Sequence, residues 1–155
     1  MNSTLVITPS REAIQRALES WQWLPIQSRE PVLVTAFGDI FFAAKDGVWF
    51  LDTLEGTFQR VCSTRSELEE LLATTEGEDR YCLAGFVERA CREGMALRDG
   101  QCYDFTLHPV VGGKLEYANV QPRDFVVAVH IAGQLHEQVK QFPPGTKISR
   151  FVVNE

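Results

Sequence analysis

The stretch PVLVTAFGDIFFAAKDGVWFLDTLEGTFQRVC, residues 31–62, constrains the fold more than any other part of the chain. It is dense in Val, Ile, Phe, Trp and Thr, which fit a pleated, half-buried surface. Glycine-bearing pairs interrupt it at short intervals. Asp46-Gly47 has the composition of a tight hairpin turn, where glycine accepts positive φ. Glu55-Gly56 marks a second turn, and Gly38-Asp39 a bend or bulge between the first two strands. The segment predicts a three- or four-stranded antiparallel meander, with strands near 32–36, 39–44, 48–52 and 57–61.

Helical periodicity surrounds this meander. In TPSREAIQRALESW, Thr8 is placed to cap a helix with Pro9 at its first position. Ala13, Ile14, Ala17, Leu18 and Trp21 form its apolar face. After the meander, two helices are expected. The first opens with a capping box, Thr64 and Glu67, and buries Leu68, Leu71 and Leu72. The second is capped by Asp79, buries Leu83, Phe86, Val87, Ala90 and Cys91, and ends at Gly94. Residues 97–120 read as irregular, with turns at Asp99-Gly100 and Gly112-Gly113. A last helix starts near Pro122, has Asp124 in its first turn, and runs to about Gln141. Pro143-Pro144-Gly145 stops it, and Thr146 to Val153 is expected to add a closing strand. The fold class is therefore α+β: an antiparallel meander with an N-terminal helix, a central helix pair and a long C-terminal helix packed on the sheet. A chain of 155 residues fits one domain.

Charge narrows the function classes. Lys plus Arg is 15 and Asp plus Glu is 21, a net charge of −6. Nucleic acid calls for basic patches, so direct binding to it is disfavoured, whereas a basic protein partner is suited. The acid is concentrated: Glu67, Glu69, Glu70, Glu76, Glu78 and Asp79 follow one another with no Lys or Arg between them. Such a run is either a solvated helix face with an acidic loop or a docking patch for a basic partner, edged by Arg65 and Arg80. No apolar run approaches the ~20 residues of a membrane span, and the N-terminal residues lack a signal-peptide pattern. The expected location is the cytoplasm, where Cys62, Cys82, Cys91 and Cys102 stay free thiols.

Catalytic and metal signatures are missing. None of the cysteines forms a C-x-x-C pair. His130 and His136, in VHIAGQLHEQV, are six residues apart, which on a helix separates them by about 120°; two ligands on one helix want a spacing of three or four. No metal or cofactor is expected. His130 reads as a hydrogen-bonded core histidine with Gln134 on the same face, and Gly133 as a point of close packing. His136, near the helix end, suits a cation. Gly112-Gly113-Lys114 lacks the strand–loop–helix setting of a phosphate cradle. Cys102, beside Tyr103-Asp104, is the residue to watch for a cysteine–histidine pair.

Three segments together, TAFGDIFF…DGVWFLDTLEGT, YDFTLHPVVGGKLEYANV and DFVVAVHIAGQLHEQV, carry a resemblance. From about Val32 to Phe151 the chain resembles the bacterial immunity proteins of type VI secretion DNase effectors. The resemblance rests on Gly38-Asp39, Gly112-Gly113, Asn119, His130 and Gln134. It implies a subdivision into a GAD-like part, 1–95, and a C-terminal immunity-type part, 96–155. It also implies a non-enzymatic role, binding and neutralising a cognate toxin. The alternative is a small ligand-binding or regulatory domain with a pocket near His108, Gly113 and His130.

Overall fold

The computed structural model describes residues 2–155. The meander forms as β2 (Glu30–Thr35), β3 (Ile40–Ala44), β4 (Gly47–Asp52) and β5 (Thr57–Cys62), within two residues of the expected bounds. A two-residue β1 (Val6–Ile7) adds to β2, giving a five-stranded antiparallel sheet in sequence order. Side chains alternate across a strand, and here both sets are apolar. Ile40 and Phe42 face one side and Phe41 the other; opposite them, Leu51 and Trp49 share the first side and Phe50 the second. A sheet with two greasy faces must be covered twice.

One cover is helical and aromatic. Leu68 and Leu72 of α2 (Arg65–Leu72), Tyr81 of α3 (Thr75–Cys82) and Val87 of α4 (Ala84–Arg92) pack on Phe41 and Phe50. The rings of Phe41, Phe50 and Tyr81 lie 4.5–5.6 Å apart, within the range where aromatic pairs add to simple burial. The other cover is α1 (Arg11–Ala17), its 3-10 continuation Leu18–Trp21, and α5 (Phe125–Val139). Between the covers, β6 (Gln101–Phe105) and β7 (Val120–Asp124) make a two-stranded ribbon. Tyr103 N donates to Ala36 O at 2.7 Å and ties that ribbon to the end of β2. Cys102 enters the α1–α5 core, while Tyr103 and Phe105 enter the other, so residues past 96 serve both.

Local chemistry explains where elements depart from expectation. The capping box Thr64/Glu67 forms as read. Ser10 rather than Thr8 caps α1, accepting from Ala13 N at 3.1 Å. The second central helix is split into α3 and α4 at Leu83, which sits left-handed at φ 50; its side chain joins the aromatic core, which offsets the strain. Thr74 caps α3, and Asp79 lies inside it. Pro122 belongs to β7, and Asp124 is the cap of α5, accepting from Val127 N at 3.0 Å. Residues 146–153 form no strand. No helix among the described residues is long and apolar enough to cross a membrane.

α5 approaches the Leu18–Trp21 turn closely. Trp21 Nε1 donates to Val129 O at 2.8 Å in a fully buried setting. Gly133 faces Ser20, and a Cβ there would overlap Ser20 Oγ and lie 2.7 Å from its carbonyl oxygen. Gly133→Ala is therefore expected to cost roughly 1–3 kcal/mol through overpacking, despite alanine's better helix propensity. Gly85, exposed in α4 with open space at its Cβ position, is the control: Gly85→Ala should gain about 0.5–1 kcal/mol. Urea denaturation midpoints of the two variants should move in opposite directions.

Candidate functional site

The most elaborate polar arrangement centres on Thr53, in the β4–β5 turn. Asp39, 4% exposed, accepts from Thr53 N at 2.8 Å and Thr53 Oγ1 at 2.7 Å through one carboxyl oxygen. Thr35 Oγ1 donates to the other at 3.4 Å and accepts from Asp39 N at 3.2 Å. On its far side, Thr53 O accepts from two imidazoles: His136 Nε2 at 2.9 Å and His108 Nε2 at 3.1 Å. His108 Nδ1 accepts from Val110 N, which fixes its proton on Nε2. The two rings stand edge to face, 5.3 Å apart. Gly56 closes the group: its φ is +72, and a Cβ would overlap the His136 ring. One residue thus joins the sheet, the loop after β6 and helix α5.

Burial governs the protonation of this group. Asp39 has no cationic partner among the described residues. Burial pushes its carboxyl up to about 8, with the charge of Asp52 adding. Burial pulls His108 down to about 4, with His136 adding, and lowers His136 as well. His136 is therefore a buried neutral fastener, not the helix-end cation expected from its position. The Nε2 donors and the Asp39 oxygens are all engaged inside the fold. Among the described residues no group of three His, Cys, Asp or Glu could hold a metal ion.

The residues singled out in the sequence fall into three groups. Gly38, at φ +85, turns the chain into Asp39. Gly112, Gly113 and Asn119 shape the loop that carries His108: Asn119 Oδ1 accepts from Leu107 N, and its Nδ2 donates to Leu107 O and Lys114 O. A Cβ on Gly113 would overlap Leu107 O. This loop exposes Leu107 and Leu115 at its surface, 51% and 54%. Neither His130 nor Gln134 hydrogen-bonds to it. Gln134 instead holds Asn154, and His130 Nδ1 is buried with no partner among the described residues. The structure brings His108 together with His136 rather than His130. The cavity of about 540 Å³ beside α1 is lined by other residues, Leu18, Ile26, Arg29 and Phe42 among them. Cys82 and Cys102 are buried, Cys62 is half-buried and Cys91 is exposed; all four are free. Burial holds the Cys102 thiol well above its ordinary range, so it is no thiolate.

The acidic run divides by role. Glu67 belongs to the capping box, its Oε2 accepting from Ser63 N and Thr64 N. Glu78 accepts from Asn2 N. Glu69, Glu70, Glu76 and Asp79 are exposed and form no ion pair among the described residues; Arg65 and Arg80 do not neutralise them. Arg80 lies over the Tyr81 ring instead. Two of these acids border apolar clefts. Glu69 edges one with Arg65, Val32, Leu33, Leu68 and Leu72; Asp79 edges another with Arg89, Leu83, Phe86 and Tyr117.

Thr53 and Gln138 were invisible to sequence reading, and His136 was read as a helix-end residue rather than a buried one. Thr53 sits in a turn-like TLEG stretch with no periodicity to mark it. Only the apolar context of His136, one residue after Leu135, could have signalled its burial. No protein-family model matches the chain, and no curated protein does. Among solved structures it is similar to Atu4351 from Agrobacterium tumefaciens, with 22% identity and a TM-score of 0.52 over 83% of this chain. The chain spans 65% of that protein's length. At this identity the likeness concerns the fold alone.

The opposed shifts make a pH prediction. A histidine lowered on folding contributes stability above its unfolded value that is lost as pH falls from about 6.5 toward 4. A carboxyl raised on folding costs stability progressively as pH rises from about 4 to 8. Between about pH 4 and 6.5 the two slopes oppose each other; from about 6.5 to 8 the Asp39 slope stands alone. Stability should decline there by roughly 1–2 kcal/mol. Asp39→Asn, which keeps the acceptor facing Thr53, should abolish that decline in urea titrations at stepped pH.

Proposed function

We propose that this chain is a non-enzymatic, cytoplasmic protein-binding protein, an immunity protein that neutralises a basic toxin of the nuclease type. The observation that carries this reading is the set of exposed, unpaired carboxylates on α2 and α3, beside apolar clefts. A surface that keeps acids unneutralised next to apolar area suits a partner with basic residues around an apolar centre. A nuclease must hold a polyanion and is commonly basic where it does so. An acidic protein seated there competes with the substrate and is steered to it by charge. The resemblance to type VI secretion DNase immunity proteins and the net charge of −6 point the same way.

The experiment uses the product of the adjacent reading frame as candidate partner, with association followed by biolayer interferometry. Glu69→Lys, Glu70→Lys and Glu76→Lys together are expected to slow association at least tenfold at low salt, the effect shrinking as salt rises. Glu12→Lys with Glu19→Lys, on the opposite helical layer, should change it far less. Unchanged association by the triple variant at low salt would remove α2 and α3 as the docking face. Failure of the wild-type chain to bind or protect against that partner would count against the immunity reading itself.

A further inference from the structure

The C-terminal segment is held to α5 by hydrogen bonds to its main chain. After α5, Thr146 N donates to Pro143 O at 3.2 Å across a turn whose Gly145 has φ +83, the proline-then-glycine order of a type II turn. The chain then runs back along the helix. Gln138 Nε2 donates to Val152 O at 2.7 Å while Gln138 Oε1 accepts from Val152 N at 3.1 Å. One turn earlier, Gln134 does the same to Asn154, at 2.6 and 2.7 Å.

Each glutamine amide offers the donor and acceptor that a neighbouring β-strand would offer. The spacings match: four helical residues rise about 6 Å, and two strand residues about 6.6 Å. An i, i+4 glutamine pair therefore grips residues i and i+2 of an extended chain. Val152 and Val153 are 54% and 41% exposed, so the grip on this stretch is through its main chain, while Ile148 and Phe151 before it are half-buried. The register also continues. His130 lies one turn beyond Gln134, and its Nδ1 is buried without a partner among the described residues.

We propose that the Gln134–Gln138 face of α5 is a docking groove for extended polypeptide main chain, and that residues 146–155 of this chain are its exchangeable occupant, seated in cis here and able to be supplied by a second copy. Recognition at residues 152–154 is by backbone, so it tolerates changes of side chain there and requires two amide protons in the right places. The inference stands independently of the immunity reading, and its test involves no toxin.

The test opens the groove in the full-length chain with Val152→Pro and Asn154→Pro, because proline has no amide proton to give. A fluorescent peptide of residues 146–155 should bind this variant saturably by anisotropy, and the wild-type chain at least tenfold more weakly, because its own tail competes. Methylating the peptide nitrogens of Val152 and Asn154 should cost at least tenfold; methylating that of Val153 should cost little. Adding Gln134→Leu and Gln138→Leu should abolish binding. In the unaltered protein, hydrogen exchange should be slow at the amides of Val152 and Asn154 and fast at Val153. No binding to the opened variant, equal binding of the two methylated peptides, or equal exchange at the three amides would overturn the proposal.

Discussion

The carbonyl of Thr53 is the point through which separate parts of this protein are registered. A buried acceptor with two lone pairs is satisfied here by two imidazoles from different segments, while the amide and hydroxyl of the same residue face a buried carboxyl. Leaving any of these groups unpaired in a low-dielectric interior costs more than forming the bond yields, roughly 1–3 kcal/mol for each neutral group. The arrangement therefore works by exclusion. A shifted α5 or a displaced 106–119 loop would strand an imidazole or a carbonyl, and such alternatives are penalised even where apolar packing would tolerate them.

That polar pin matters because the apolar parts alone are permissive. The central sheet is greasy on both faces, and aromatic rings dominate one of its cores. Hydrophobic burial is non-directional; it stacks helical layers on a sheet without specifying how far each slides. Direction comes from Trp21 to the Val129 carbonyl, from the close passage of Gly133 over Ser20, and from the Thr53 group. All three act on α5. The helix that covers most of one sheet face is thus also the one positioned most exactingly.

How much of this was legible follows from the range of each signal. The meander was readable because turn chemistry is local: Asp46-Gly47 and Glu55-Gly56 announce themselves within two residues. The capping box at Thr64 was readable for the same reason. The ribbon of β6 and β7 was not, because its strands are separated by a loop held by a distant asparagine and histidine. The break at Leu83 was hidden, since a leucine at positive φ is favoured only by the core it enters. The sites were least legible. Asp39 and Asn119 were singled out, but Asn119 bonds backbone groups, which carry no residue-type signature, and Asp39 bonds an amide and two threonine hydroxyls, of which Thr53 lies fourteen residues away. Apolar neighbours singled out His130 as the core histidine and position placed His136 at a helix end, whereas His136 is the more buried of the two.

The loop that closes on Asn119 and hangs from His108 is fastened through main-chain groups, those of Leu107 included, while the side chains of Leu107 and Leu115 stand exposed. Its anchorage depends on a few polar side chains and a glycine, and hardly at all on what the tips carry. Lineages of such a protein are therefore free to drift at those two positions without first repairing the fold. Heritable novelty at this surface is cheap in a way that it is not anywhere near Thr53.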